Sequence, residues 1–311
     1  MVYKTVQELV DTETTTAGIA DITPEVWSDE LEAAAQPLRV ARNFIKVNMD
    51  LLNKPGDIVH IMKSGTLTAS TATEATAITP QAMDGYSTVD LTPAEIGAGV
   101  AISRDVVEEV KVDILKDATL QLAEALATKE DTDIYVAMDV SGPTILYGGD
   151  ATSCATLAAG DKITTDLFAN AVSDVRGNNY KPDVLFINPV QENVFLKDGQ
   201  FVNASEYGGD TIVKNGEIGT YLGVKVVSST QVIAYAATAT DPADSTSWAV
   251  DGHSAYMVDS SHAAVMAVKR NATIETEYNP STRMHEIYAT MKYDADILND
   301  GAVCLIKVAD A

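Results

Sequence analysis

The sequence predicts an α+β fold: a polar arm, an extended β-ribbon, one long helix and a strand-rich remainder arranged in two lobes. Three observations predict it. A helix-period apolar stripe runs without glycine or proline from Ser103 to Met138. A stretch rich in Thr, Ala and Ser from Thr66 to Ile78 has almost no large side chains and cannot form a core of its own. Short strand-like segments with turn residues between them fill the C-terminal part. The chain has 311 residues, 46% of them hydrophobic, which is ample for a buried core and long enough to divide into lobes.

The arm, Met1 to Asp21, is polar and Thr-rich, with no hydrophobic stretch of the secretory kind. Thr23-Pro24-Glu25 starts a short helix, with Thr as N-cap, Pro at the first helical position and an acid in the first turn. That helix runs through Val26, Trp27 and Leu31 to Ala35 and stops before Pro37. Arg39, Arg42 and Lys46 then form the concentrated basic patch of the first hundred or so residues. Lys54-Pro55-Gly56 reads as a turn, Asp57 to Ile61 as a strand and Tyr86 to Leu91 as its partner across a loose tip. A two-stranded ribbon is marginal in water, so it needs cover from elsewhere in this chain or from another.

Ser103 caps the longest helix. Val107, Val110, Ile114, Ala118, Leu122 and Ala125 recur at steps of three or four, and an unbroken rod to Met138 would be roughly 50 Å long. Gly97 and Gly99, just upstream, read as a bend between strand-like residues. The part from Ala151 to Val250 is α/β in pattern. It has a helix over Thr165 to Val175, a doubly buried strand at Val184 to Ile187, a helix over Val190 to Leu196 and a strand at Val224 to Ser228. Strands follow at Ala255–Val258, Val265–Val268, Thr273–Tyr278, Glu286–Lys292 and Val303–Val308, with Asn279-Pro280-Ser281-Thr282 as the turn of a long hairpin.

Composition limits function. A net charge of −24 argues against a dedicated nucleic-acid binder, which needs a basic face to release counterions. It suits either a saline source, where acidic surfaces are common, or a protein whose free copies must stay apart at high concentration, and charge alone does not decide between them. Cys154 and Cys304 sit among small or apolar residues with no ligand spacing and read as ordinary buried thiols. No apolar run reaches the roughly 20 residues that a membrane-spanning helix needs, so no membrane partner is expected. The four histidines are far apart, and no metal site, cofactor site or catalytic residue is expected from them. Asp259-Ser260-Ser261-His262 has triad residue types without triad geometry, and Asp294, Asp296 and Asp300 fit a solvated turn better than a calcium loop.

Taken in order, several segments resemble the major capsid proteins of tailed phages and related archaeal viruses, the Hong Kong 97-type fold. They are TPEVWSDELEAAA (Thr23 to Ala35), ISRDVVEE (Ile102 to Glu109), KPDVLFINP (Lys181 to Pro189), GEIGTYLGVKVVSS (Gly216 to Ser229) and Thr273 to Val308. The resemblance implies an N-terminal arm with a short helix over 1–50 and an extended β-ribbon, the E-loop, over 51–92. It further implies a peripheral domain of spine helix and long hairpin over 93–145 and 270–297, and an axial domain over 146–269 and 298–311. It implies a subunit that is not an enzyme. Copies would assemble into pentamers and hexamers of an icosahedral shell around double-stranded DNA, bound without sequence specificity. The implied location is the virion, after assembly in the host cytoplasm. Separate scaffolding and portal proteins, with decoration proteins as a further class, would be the partners. An encapsulin-like compartment shell is the alternative on the same fold, and an α/β enzyme a third reading.

By the same resemblance, Arg39, Arg42 and Lys46 are candidates to face the packaged DNA. Lys54, Lys63 and Tyr86 would lie on the inter-subunit ribbon, and Asn279, Pro280 and Arg283 at the hairpin tip. Some relatives join subunits by an isopeptide bond from a ribbon lysine to a hairpin asparagine, assisted by a glutamate. Lys63, Asn279 and Glu286 are the residues of this chain that fit those roles.

Overall fold

The computed structural model describes residues 40–110, 113–197 and 220–310, except 53, 66, 70, 73, 75, 76, 78–81, 83 and 84. The arm, the helix expected over Thr23 to Ala35, Arg39 and residues 216–219 lie outside them. The strands are β1 (Lys46–Asn48), β2 (Val59–Lys63), β3 (Ser87–Leu91), β4 (Ala94–Ser103), β5 (Thr144–Tyr147), β6 (Val184–Ile187), β7 (Thr220–Tyr221), β8 (Val224–Ser228), β9 (Ala234–Tyr235), β10 (Gly252–Val258), β11 (Ala264–Asn279), β12 (Met284–Ile297) and β13 (Val303–Ala309). The helices are α1 (Arg104–Glu109), α2 (Ile114–Met138), α3 (Thr165–Gly177) and α4 (Pro189–Lys197). Among the described residues three sheets form: β1-β11-β12-β4; β5-β13-β10-β6-β8-β7, with β9 also on β10; and the ribbon β2-β3.

The helix that the apolar stripe predicts as one rod is two. Val110 leaves α1 with extended backbone (φ −80, ψ 134), and Asp113 starts α2 by accepting from the Lys116 N–H at 3.2 Å. The adjacent β-branched Val106 and Val107 weaken the short α1, while the Asp113 side chain offers the chain a new start. The buried stripe is accordingly reset: Leu122, Leu126, Ile134, Tyr135 and Met138 face inward, whereas Val110 and Ala125 are exposed. Gly97 and Gly99 do not mark a bend. β4 pairs with β12 in unbroken register from Ala94↔Tyr293 to Ser103↔Met284. A Cβ at Gly99 would lie 2.6 Å from Tyr288 Cδ1, so glycine there lets the Tyr288 ring lie across β4. The strands expected separately at Val265–Val268 and Thr273–Tyr278 are one, β11, interrupted by register shifts between Val268 and Thr273. The turn at its end is Pro280 to Arg283, one residue beyond the expected span.

Alternation along β6, β10 and β13 gives the seven-stranded sheet two apolar faces, which is why these strands read as continuous apolar runs. Leu185, Met257 and Ile306 meet Phe168, Val172 and Val175 of α3 on one face. On the other, Phe186, Tyr256 and Leu305 join Tyr135 and Met138 of α2 in a cluster that continues to Ile287, Ala289 and Met291 of β12. Tyr135 lies 5.5 Å from both Phe186 and Tyr256, ring centre to ring centre. One helix thus closes the cores of both large sheets.

At the C-terminal end of α2 lies a buried charge network. Lys307 of β13 is wholly buried, with its Nζ 2.6 Å from Asp139 Oδ1 and 2.6 Å from Asp241 Oδ2. Asp139 Oδ2 also accepts from Tyr235 (3.0 Å), Ser254 (2.9 Å) and Tyr256 (3.1 Å), and Asp241 Oδ2 accepts from Trp248 Nε1 at 3.0 Å. Burial first, then the Asp139 carboxylate, pushes the Tyr235 and Tyr256 hydroxyls well above the ordinary phenol range, which keeps both as donors. Removing one member leaves buried charge uncompensated. Asp139→Ala should lower the unfolding free energy by about 3–5 kcal/mol, read by denaturant melting at neutral pH. An effect below about 1 kcal/mol would show the network to be energetically idle.

Candidate assembly surface

The ribbon is anchored at its root and open beyond it. In β2 the side chains alternate between half-buried Val59, Ile61 and Lys63 and exposed His60 and Met62, as the two-residue period of a strand requires. Val59, Ile61, Val89 and the fully buried Leu91 pack against Val265, Ala267 and Leu298 of the same chain. Lys63 Nζ donates to the Leu298 carbonyl at 2.7 Å, and the Thr92 N–H donates to Asp294 at 2.7 Å. Lys269 donates to the Gly56 carbonyl beside the exposed Lys54. On the outer face His60 meets Asp90, its register partner, at 2.6 Å. The ribbon therefore does find cover in its own chain over these strands. Outside them Leu67 and Tyr86 are 62% and 54% exposed, and Met62 at the end of β2 is 79% exposed.

The distal half of the β11–β12 hairpin is likewise uncovered. Ala264 to Val268 are all buried, while Asn271 to Tyr278 are all exposed. Ile274, Tyr278, Met284 and Tyr288 form an exposed apolar set there. Asn279 Oδ1 accepts from Ser281 N at 3.1 Å and Ser281 Oγ at 2.6 Å, which shapes the turn with Pro280. Arg283 sits in left-handed backbone (φ 56) and its carbonyl accepts from the Arg104 N–H at 3.0 Å, tying the tip to α1. Glu286 accepts from Asn279 Nδ2 at 3.3 Å and from the Tyr288 hydroxyl at 2.6 Å. That hydrogen bond pushes the Tyr288 phenol upward.

Of the residues singled out in the sequence, the structure brings Asn279 and Glu286 together and leaves Lys63 far away. Lys63 is held beside the Val265 end of β11, and Asn279 lies at the other end, roughly 40 Å along the strand. A meeting of the two has to occur between copies. Arg42 is ion-paired with Glu130 at 2.5 Å, while Lys46 projects exposed from β1. The triad types do not form a triad: His262 Nδ1 lies 3.1 Å from Asp259, but the Ser260 hydroxyl donates instead to Asp183 Oδ2 at 2.5 Å. Asp294 and Asp296 accept backbone N–H groups, and among the described residues no group of three metal-ligating side chains converges. Burial pushes both cysteine thiols far above the usual range, with Asp241 adding to the effect at Cys154 and Asp174 at Cys304. No helix among the described residues is long and apolar enough to cross a membrane.

Two clefts flank α2. One of about 570 Å3 lies between its first turns, at Leu115 and Lys116, and Tyr278, His285 and Ile287 of the hairpin. The other, of about 350 Å3, is floored by Leu126, Val268 and Met291 and bounded by Arg42 and Glu130.

Sequence reasoning missed the buried network around Lys307, although a lone lysine inside the apolar run VCLIKV was its visible trace. It also missed the ribbon root, where Val89 and Leu91 are the signal: alternate apolar residues at the end of a strand that begins polar.

A family model described as phage capsid protein matches residues 85–305. Among solved structures, the chain is similar to one from Mycobacterium phage Che8, at 21% identity and a TM-score of 0.69, covering 91% of this chain and 96% of that one. The capsid of cyanophage P-SCSP1u is similar over 99% of each chain at 16% identity, with a TM-score of 0.73. The capsid of Ralstonia phage GP4 aligns over 93% of this chain and 95% of that one at 14% identity, with a TM-score of 0.72. No curated protein sequence matches the chain.

The root packing yields a direct test. Leu91→Ala should remove about 2–5 kcal/mol of local packing and release the ribbon. Limited proteolysis should then cut between residues 63 and 87 markedly faster, with the core cleaved no faster; an unchanged cleavage rate would contradict the anchoring.

Proposed function

The chain belongs to the phage capsid protein family, and on that premise we propose that its copies gather as pentamers and hexamers around double-stranded DNA. It is a major capsid protein of the Hong Kong 97-type fold, a structural protein of an icosahedral virion shell. The observation that carries the assembly reading is the ribbon: anchored by Leu91 at its root, it leaves Met62, Leu67 and Tyr86 largely exposed among the described residues. Large exposed apolar side chains on an extended element are costly unless a partner covers them. A neighbouring copy is the natural cover, and assembly is then driven by burying these groups at each contact.

In this reading residues 51–92 are the inter-subunit ribbon. Segments 93–145 and 270–297 form the peripheral domain, segments 146–269 and 298–311 the axial domain, and 1–50 the arm. The seven-stranded sheet with α3 supports the axial assignment, and α2 lying on β11 and β12 supports the peripheral one. Lys46, exposed at the start of β1, is better placed to meet DNA than Arg42, whose charge is already answered by Glu130. DNA contact would be unspecific, since a chain of net charge −24 offers phosphates no broad basic face. Assembly takes place in the host cytoplasm with separate scaffolding, portal and decoration proteins. We read the chain as a structural subunit rather than an enzyme.

Electron microscopy of the purified protein tests this. Closed shells are expected from the native chain. Met62→Glu should leave the fold and melting intact, since that side chain touches solvent, yet reduce shells to free subunits or capsomers. A native chain that stays monomeric under every assembly condition would overturn the reading. The Lys63–Asn279 bond is read separately: attack of the lysine amine on the carboxamide carbon expels ammonia, with Glu286 as proton acceptor. Boiled particles on a denaturing gel show a ladder if the bond forms, and a clean monomer band excludes it.

A further inference from the structure

Lys307 is a primary amine closed off from water between two carboxylates, and the two carboxylates are held differently. Its Nζ lies 2.6 Å from Asp139 Oδ1 and 2.6 Å from Asp241 Oδ2, and none of the three side chains has exposed surface. Asp139 Oδ2 accepts from the hydroxyls of Tyr235 at 3.0 Å, Ser254 at 2.9 Å and Tyr256 at 3.1 Å, whereas its Oδ1 faces Nζ. Asp241 is held through both oxygens by N–H donors. Its Oδ1 accepts from the Ala243 and Asp244 amides at 2.9 Å each, and its Oδ2 from Trp248 Nε1 at 3.0 Å.

A single carboxylate would answer one ammonium. The second leaves a buried negative charge in excess, which costs stability, so packing alone does not account for it. Chemistry does, because these are the parts of an amide-forming site. Three O–H donors aimed at one oxygen make an oxyanion hole for a tetrahedral centre at Asp139 Cγ. Asp241, fixed beside the same Nζ, is a carboxylate placed to take and return a proton. The stacked rings of Tyr235 and Trp248 wall the site, with the Tyr235 ring 5.3 Å from Nζ, and keep out the water that would reverse the reaction.

We propose that Lys307 and Asp139 condense into an isopeptide bond within the chain, with Asp241 as the proton carrier. Nζ first passes a proton to Asp139 Oδ1, giving a free amine and a carboxylic acid. The amine lone pair attacks Asp139 Cγ, and the electron pair of the C=Oδ2 bond moves onto Oδ2, where the three hydroxyls hold it. Asp241 takes the surplus proton from the nitrogen and returns it to the Oδ1 hydroxyl as the C–Oδ1 bond breaks. One water leaves, Asp241 is a carboxylate again, and the step needs no oxidant or co-reactant. The bond fastens β13 to the C-terminal end of α2, across 168 positions of chain. It is independent of shell formation, and it differs from the Lys63–Asn279 bond in joining one chain to itself and expelling water rather than ammonia.

Intact mass spectrometry of the full chain, purified without denaturant and kept at neutral pH, tests it. The protein should be lighter than its sequence by one water. Trypsin should release residues 130–162 joined to residues 293–311, uncut after Lys307. Lys307→Arg, which keeps the charge but not the amine, should have the full mass of its own sequence. So should Asp241→Asn, which removes the proton carrier. A wild-type chain at full sequence mass would overturn the proposal on its own, however the variants fold. So would a branch to residues 226–269, which hold Asp241, and so would a water loss that persists in either variant.

Discussion

One helix holds the molecule together. The N-terminal part of α2 lies on the four-stranded sheet, and its C-terminal part closes one face of the seven-stranded sheet, so Ile287, Met291, Phe186 and Leu305 belong to one apolar cluster. Tyr135 and Met138, both fully buried, each contribute roughly 1.5–3 kcal/mol by leaving water. The helix ends in Asp139, which is fixed by Lys307 and three hydroxyl donors. Its C-terminal end is therefore locked to β13 and β10, and the two sheets keep one relative placement there.

Away from that locked end, the same elements run out of interior. β11 is buried for its first five residues and exposed over most of the rest, with the register shifts falling where it leaves the core. The ribbon repeats the design: Leu91 is sealed, while Met62, Leu67 and Tyr86 are open. Stability concentrated at the centre lets the edges remain available for partners without unfolding the subunit. A net charge of −24 on every free copy opposes premature association of those edges.

The sequence announced what local patterning decides. The doubly buried strand at Val184–Ile187, the strand at Val224–Ser228, the helix from Thr165 and the long hairpin all stand where periodicity and turn residues put them. It concealed what depends on contacts distant in sequence. Ala125 looked like a core residue because the stripe was counted from Val107, but the restart at Asp113 rotates the buried face. Gly97 and Gly99 looked like a bend because nothing local reveals Tyr288 lying across β4. The ribbon looked wholly uncovered because its cover, Val265, Ala267 and Leu298, comes from more than 170 residues downstream. The residues proposed for assembly, Tyr86 and Arg283 among them, were visible only through family resemblance, since exposure to a partner leaves no periodic trace.

We propose that the outer ribbon takes its order from a neighbouring copy, and amide hydrogen exchange over residues 64–86 reports it. Exchange there should be fast in free subunits and at least about tenfold slower in assembled particles, while β6 and β13 stay equally protected in both. Equal protection of residues 64–86 in the two forms would show that no neighbouring copy orders the ribbon.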